Sequence, residues 1–306
     1  MTAITHPPLA TRHDETRGML LGLVGVAMFS LTLPFTRMAV LDLDPLFVAL
    51  GRALGAAALA AGWLAWRRAP LPPRGALLPL TLVMLGVVIG FPLLSSMALR
   101  TVPAAHGAVL AGLLPLMTTL YAALRGDEQP SITFWLLAVL GAALVIAFAL
   151  FQGGGALHAA DLLMFAALAA GAMGYAEGGK LARTLGGPQT ICWALLLAAP
   201  LAAPVLAWHL YSGTTHFADV GPGAWLALGY VTAISMFVGF FFWYRALALG
   251  GIARVGQVQL LQPFLSLLGA AVLLGEALNP THCLFALAVI GVVCAGRRLQ
   301  VRRAAP

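Results

Sequence analysis

The sequence predicts an all-α polytopic membrane protein, with ten transmembrane helices arranged as two inverted five-helix repeats. Three observations support this fold class: the apolar composition, the number of long apolar segments, and a similarity between the two halves of the chain. Of the 306 residues, 61% are hydrophobic and 9% are charged, whereas soluble domains carry about 25% charged residues. A soluble core could not enclose so much apolar surface, so we expect the chain to lie in a bilayer.

Ten apolar segments approach or exceed the roughly 20 residues that a helix needs to cross a bilayer. They cover residues 18–40, 44–66, 75–99, 103–124, 131–150, 160–182, 188–210, 223–248, 252–275 and 279–297. The breaks between them are short and carry charged residues, glycine or proline, so no separate soluble domain is expected. The polar first 17 residues and the length of the first apolar segment indicate a span rather than a cleaved signal peptide.

The basic residues favour a multi-pass protein of the cytoplasmic membrane with both termini inside. With a cytoplasmic N-terminus, 14 of the 17 Lys and Arg residues fall on the inner side, and Arg37 and Arg100 fall on the outer side. The net charge of +7 therefore reflects topology, and nucleic acid is not an expected partner. The predicted organisation is an N-terminal tail (1–17), a first repeat (18–152), a second repeat (160–298) and a basic C-terminal tail (299–306).

The repeat emerges when the chain is shifted by 148 residues. Pro115 then falls on Pro263 and Glu128 falls on Glu276, each pair keeping the same separation of 13 residues. Each half holds five predicted spans, and five is odd, so the second half must enter the membrane in the opposite orientation. Inverted repeats are typical of secondary transporters, whose sites lie near the midplane between the repeats.

The second half carries a pattern of residues that resembles a known family. The pattern comprises Trp243-Tyr244-Arg245-Ala246-Leu247, Gly250-Gly251-Ile252-Ala253, Gln262-Pro263 and Leu274-Gly275-Glu276. It resembles the EamA domain of the drug/metabolite transporter superfamily, and the first half carries a weaker copy with Ala98-Leu99, Pro115 and Gly126-Asp127-Glu128. The resemblance extends from about residue 18 to 298 and implies a ten-helix carrier of a kind that often exports amino acids, metabolites or toxic compounds. YddG-like amino-acid exporters are one such branch, although no motif assigns the chain to it.

Arg52 is the first candidate substrate-binding residue. It lies about eight residues into the second span, where a charge costs about 2.5 kcal/mol or more unless it is paired, hydrated or able to snorkel. It also resembles a recurrent feature of the family. We predict that Arg52 faces a central cavity and binds a substrate carboxylate or an acceptor on another helix. The alternative is a structural tether that snorkels towards the outer face.

The ninth span supplies further polar candidates. Gln257, Gln259 and Gln262 need hydrogen-bond partners in an apolar environment. Gln259 and Gln262 share a helix face, so we predict that these two bind substrate and that Gln257 bonds a neighbouring helix. Trp243 and Tyr244 in the preceding span are predicted to form an aromatic wall. The alternative is that the glutamines hold helices together.

Two prolines and two glutamates occupy equivalent positions in the repeats. Pro115 and Pro263 each interrupt a span, so we predict a pair of hinges that line the pathway; the alternative is a static kink. Glu128 and Glu276 lie at span ends, where a carboxylate would satisfy loop or helix-start amides.

Glu177 and His106 are candidate coupling residues that exchange a proton. The alternatives are a local ion pair between Glu177 and Lys180, three residues apart on a helix, and a hydrogen-bonded His106. No Walker loop, zinc-protease histidine pair or Gly-x-Ser-x-Gly elbow is present. The sequence therefore predicts no catalytic residues, no enzyme activity, no cofactor and no metal.

The predicted function is secondary active transport, with export of a small metabolite such as an amino acid or drug-like compound across the cytoplasmic membrane. The expected partners are the substrate, the lipid bilayer and a coupling proton. The alternatives are a channel-like pore or lipid-handling protein and, less favoured, an intramembrane enzyme. Substrate identity and oligomeric state are left open by the sequence.

Overall fold

The computed structural model describes residues 12–125, 128–129, 132–152, 154, 157–213, 217–250, 255, 258–277, 280–298 and 302–303. Helices dominate this part of the chain. They are α1 (Arg12–Ser30), α2 (Thr32–Asp42), α3 (Pro45–Trp66), α4 (Leu77–Val83), α5 (Phe91–Leu99), α6 (Ala104–Ala111), α7 (Leu114–Leu124), α8 (Ile132–Gln152), α9 (Ala159–Leu185), α10 (Gly187–Tyr211), α11 (Pro222–Gly229), α12 (Gly239–Gly250), α13 (Gln262–Leu274) and α14 (Pro280–Arg298). Short 3-10 segments cover Arg74–Ala76 and Gln259–Leu261, and π segments cover Met84–Gly90 and Tyr230–Val238.

Six helical segments in the described residues are long and apolar enough to cross a bilayer. They are Thr16–Asp42, Pro45–Trp66, Arg74–Leu99, Ala159–Leu185, Gly187–Tyr211 and Pro222–Gly250. The bent pair α6 and α7 makes a seventh, and shorter apolar helices cover Trp135–Phe151, Gln259–Leu274 and Pro280–Val292. Large apolar side chains such as Leu20, Leu78 and Leu162 are at least 60% exposed on the outside of the bundle, as a lipid-facing surface requires. The chain is therefore a polytopic helical membrane protein.

The helix containing Pro115 is broken at a point that proline alone does not explain. Helices α6 and α7 meet at an angle of 41°, and Gly112 and Leu113 between them make tighter i to i−3 hydrogen bonds. Pro115 is the second residue of α7, where its missing N–H is not needed. Pro263 is likewise the second residue of α13, directly after the 3-10 segment Gln259–Leu261. Both prolines thus open a new helical segment after a break.

The two π segments lie at equivalent positions under the 148-residue offset, because residues 84–90 correspond to residues 232–238. A π segment adds a residue to a helical turn and often marks a functional site. The first π segment packs closely on α9: a Cβ atom at Gly86 would lie 2.5 Å from the carbonyl oxygen of Ala170 and 2.8 Å from the nitrogen of Gly174. At Gly51 of α3, by contrast, a Cβ atom would have nothing within 4 Å, so α3 makes no close backbone contact at this glycine.

Helix packing connects the two halves of the chain. Helix α1 packs on α12, α9 packs on α5 and α7, and α3 packs on α10. At one end of the bundle Glu128–Gln129 and Arg302–Arg303 form an antiparallel pair of two-residue strands. The connection after α7 and the C-terminal tail therefore lie on the same side of the bundle.

Candidate functional site

A small cavity lies near the middle of the helices and is bounded by side chains from both halves of the chain. Its volume is about 20 Å³ for the centres of water-sized molecules, which is room for about one water. The lining residues are Phe29, Thr32, Leu33, Arg52, Val87, Phe91, Ala111, Leu114, Gly171, Tyr175, Ser235, Phe240 and Gln262. Of the residues predicted to bind substrate, Arg52 and Gln262 line this cavity.

Arg52 is placed in the cavity by the start of α3. Asp44 caps this helix, its Oδ1 accepting from the backbone nitrogens of Leu46 at 2.8 Å and Phe47 at 3.2 Å, and Pro45 occupies the first turn. Arg52 follows two turns later and is 2% exposed. Within the described residues, neither its Nε nor its Nη1 has a hydrogen-bond partner. Buried donors without partners are costly, so this guanidinium offers unused donors to whatever enters the cavity.

The glutamines of the ninth predicted span separate into two environments. Gln262 lines the cavity, and its Oε1 has no hydrogen-bond partner in the part of the chain that the structure describes. Gln259 is buried in the 3-10 segment and does not line the cavity; its Nε2 likewise finds no partner among the described residues. Gln257 lies outside the described residues.

Aromatic rings form one wall of the cavity. The ring centroid of Phe29 lies 6.1 Å from that of Tyr175 and 4.9 Å from that of Phe240. Trp243 lies behind this wall: it is 1% exposed, and its ring centroid is 5.5 Å from that of Tyr175. Tyr244 points elsewhere and donates from its hydroxyl to the carbonyl oxygen of Gly174 at 2.9 Å. Trp243 and Tyr244 are therefore not lining residues of this cavity.

Several lining residues carry no signal in a single apolar segment. Thr32 and Ser235 share a hydrogen bond of 2.8 Å across the cavity wall. The 148-residue offset provides one signal, because it pairs Val87 with Ser235 and Leu114 with Gln262, and all four residues line the cavity. Positions that coincide under the repeat could thus have been taken together as candidates.

The chain resembles known proteins over nearly its whole length. Two segments, residues 16–150 and 158–296, match the EamA-like transporter family. The chain belongs to the EamA-like transporter family. It is 47% identical over 286 residues to the uncharacterized transporter YdeK of Bacillus subtilis (strain 168), covering 94% of this chain and 99% of that protein. A solved structure described as the crystal structure of a protein shares the fold, with a TM-score of 0.63, 19% identity and coverage of 92% and 98% of the two chains.

At one end of this EamA-like transporter, polar contacts join the two halves. The Nε2 of His106 in α6 lies 2.7 Å from Oδ1 of Asp161 in α9, and both side chains are buried. The carboxylate of Glu276 accepts from the backbone nitrogens of Ala104 and Ala105, each at 2.8 Å. Glu276 thus satisfies helix-start amides, as its position in the sequence predicts. The Glu128 side chain lies outside what the structure describes.

A larger open cavity of about 540 Å³ lies beside the His106–Asp161 pair of the transporter. Its lining includes His158 and His282 as well as these two residues. Within the described residues, no group of three or more His, Cys, Asp or Glu side chains is arranged to hold a metal ion. Asp161 is the centre of the hydrogen bonds here, because its Oδ2 also accepts from the backbone nitrogen of His158 at 2.9 Å.

At the opposite end, Glu177 of α9 is held by α7. Its Oε1 accepts from the hydroxyl of Tyr121 at 3.0 Å and from the Nε of Arg125 at 3.2 Å. Glu177 is 3% exposed, whereas half of the Arg125 side chain is exposed. The ion pair of Glu177 therefore connects α9 to the C-terminal end of α7. The two predicted coupling residues, His106 and Glu177, lie at opposite ends of the interface between α9 and the α6–α7 segment.

Proposed function

We propose that this EamA-like transporter is a secondary active carrier that exports a small metabolite, such as an amino acid or drug-like compound, across the cytoplasmic membrane. The observation that carries the proposal is the cavity around Arg52, where a buried guanidinium with unused donors lies among side chains from both halves. A charge at this depth is costly and is expected to serve function. Export as the direction rests on the resemblance to exporting members of the family.

We further propose that the chain crosses the membrane ten times as two inverted repeats. Each predicted span overlaps a described helix or a set of consecutive helical segments. The equivalent π segments support the repeat, and so do the breaks at residues 112–113 and 259–261, which coincide under the offset. The two separate family matches, 16–150 and 158–296, also support a duplication. We expect both termini to lie in the cytoplasm, as the basic residues predict.

Alternating access would follow from the contacts at the two ends of the cavity. On the proposed orientation, the bonds of His106 and Glu276 close the outer end, and the bonds of Glu177 close the inner end. Each set joins the segment of α6 and α7 to residues of the second half, so moving this segment away from its partners at one end breaks one set and leaves the other. Because Pro115 and Pro263 follow breaks in their helices, we propose them as hinges for this movement.

A proton is the proposed coupling ion, exchanged at His106 or Glu177. Protonation of Glu177 would remove the charge from its hydrogen bond with Arg125 and weaken the inner closure. We therefore expect Glu177→Gln to make transport in proteoliposomes less dependent on an imposed pH gradient. Asp219→Asn, a charge loss at an exposed position, is the matched control. A pH-gradient dependence that stays at the wild-type level in Glu177→Gln would contradict the role of Glu177.

The proposed function is tested by flux into proteoliposomes with a panel of metabolites. Saturable flux that competitors inhibit supports a carrier. Flux that does not saturate would indicate a pore, and chemical conversion of a compound would indicate an enzyme. Arg52→Ala that reaches the membrane in normal amount and transports at the wild-type rate would remove Arg52 from the site.

A further inference from the structure

We infer that the substrate is an aromatic monocarboxylate, an organic anion with an aromatic ring and no ammonium group. This inference rests on the proposed function, because it takes the cavity around Arg52 as the substrate site. Two features of the cavity carry it. The first is its charge, and the second is the aromatic character of its wall.

The charge of the cavity is unbalanced. Among its lining side chains, all of which belong to the described part of the chain, Arg52 alone carries a charge. A substrate carboxylate can accept hydrogen bonds from the guanidinium, and charge-assisted bonds of this kind are the strong ones. One carboxylate neutralises the site. The geometry therefore accommodates one negative charge and provides no counter-charge for a positive one.

An amino acid would bring an ammonium group as well as a carboxylate. The carboxylates on α9 are committed to other partners: Glu177 is bound by Tyr121 and Arg125, and Asp161 is bound by His106. Taking an unpaired ion out of water is strongly unfavourable. For a zwitterion, the cost of desolvating the unpaired ammonium group would thus offset much of the binding free energy gained at the carboxylate.

Neutral groups in the cavity do not replace a counter-charge. The hydroxyls of Thr32 and Ser235 bond to each other, and Gln262 offers one neutral amide oxygen. Aromatic faces attract cations, but Arg52 lies in the same cavity and repels them. The balance of these effects favours an anion over a zwitterion and a zwitterion over an amine.

The aromatic wall selects the body of the substrate. The centroid distances of 4.9 Å between Phe29 and Phe240 and 6.1 Å between Phe29 and Tyr175 lie in the range of favourable ring contacts. A substrate ring placed among them would find contacts of the same kind, whereas a polyhydroxylated body would leave hydroxyls without partners. Because the cavity is about 20 Å³, these side chains must separate to admit a ring.

The experiment compares three probes with the same phenyl ring and two-carbon linker: 3-phenylpropanoate, L-phenylalanine and 2-phenylethylamine. Their binding to the purified full-length protein in nanodiscs is measured by calorimetry near pH 7, where each probe has its ordinary charge. We expect 3-phenylpropanoate to bind at least about tenfold more tightly than L-phenylalanine, a difference of about 1.4 kcal/mol, and 2-phenylethylamine to bind weakest. Arg52→Gln should remove this order, and Arg74→Gln, which removes an exposed arginine, should retain it.

The wild-type comparison decides the inference even if Arg52→Gln fails to fold. Equal or tighter binding of L-phenylalanine would overturn it, and so would the absence of binding by all three probes. Flux of an unrelated metabolite panel into vesicles separates this failure from failure of the proposed function. Saturable flux of any panel member would support a carrier with a different substrate. If no panel member showed saturable flux, the proposal of a carrier would be contradicted as well.

Discussion

Replacing Arg52 with methionine should stabilise the protein while it abolishes transport. Arg52 is 2% exposed, and its Nε and Nη1 have no partners among the described residues. An arginine at the centre of a membrane helix costs about 2.5–3.5 kcal/mol. Even replacing buried ion pairs with hydrophobic side chains of similar volume is often neutral or stabilising, by up to about 1–4 kcal/mol. We therefore expect Arg52→Met to raise the free energy of unfolding by about 2 kcal/mol, taking a value within these ranges.

The assay is thermal unfolding in detergent, with substrate flux measured in parallel. At about 2 °C per kcal/mol for a chain of this size, the Tm should rise by about 4 °C. Arg74→Met, at an exposed position, should change the free energy of unfolding by at most about 0.5 kcal/mol. If Arg52→Met instead lowered the Tm and Arg52→Lys restored it, Arg52 would be a structural tether and the reasoning about its unused donors would be refuted.

Three further predictions concern the glutamine site, the outer closure and the topology. Gln262→Leu should weaken substrate binding without loss of folding. Tyr244→Phe, which deletes the hydrogen bond to Gly174, should lower the free energy of unfolding by about 1 kcal/mol and leave substrate affinity unchanged. Calorimetry measures the affinity and thermal unfolding the stability, and the reverse pattern would contradict the assignment. Glu276→Gln should lower the free energy of unfolding by about 2 kcal/mol, since one of its two charge-assisted bonds is lost and the other is weakened, and an unchanged Tm would show that the cap contributes nothing. Reporter fusions after Gly154 and after Arg303 should report the outside and the cytoplasm, and an outward C-terminus would exclude ten spans.

The helices themselves were predictable because a bilayer leaves few choices for the backbone. Hydrocarbon cannot satisfy N–H and C=O groups, so an apolar segment of sufficient length must be helical. The breaks were harder to predict. The π segments Met84–Gly90 and Tyr230–Val238 change the hydrogen-bond pattern without a change in composition, so apolar periodicity does not reveal them.

The cavity was partly predictable for a related reason. Arg52 and Gln262 stand out because polar side chains in apolar segments need an explanation, and both line the cavity. Phe29 and Phe240 are as apolar as their neighbours, so nothing in one segment separates a lining ring from a lipid-facing one. Trp243 illustrates the limit of the sequence, since its place behind the wall depends on how α12 is rotated against α1.

The close glycine contacts have a mechanical consequence. A Cβ atom at Gly18 of α1 would lie 2.8 Å from the nitrogen of Gly250 in α12, and one at Gly86 would lie 2.5 Å from the carbonyl oxygen of Ala170 in α9. Backbones packed so closely leave no side chain between them that could rearrange, so each pair should move as one rigid body. Each of these rigid bodies joins helices from different halves of the chain. In the alternating access proposed above, the parts that move against each other would therefore not be the two halves of the chain. The boundary between the moving parts would then run across the proposed repeats and not between them.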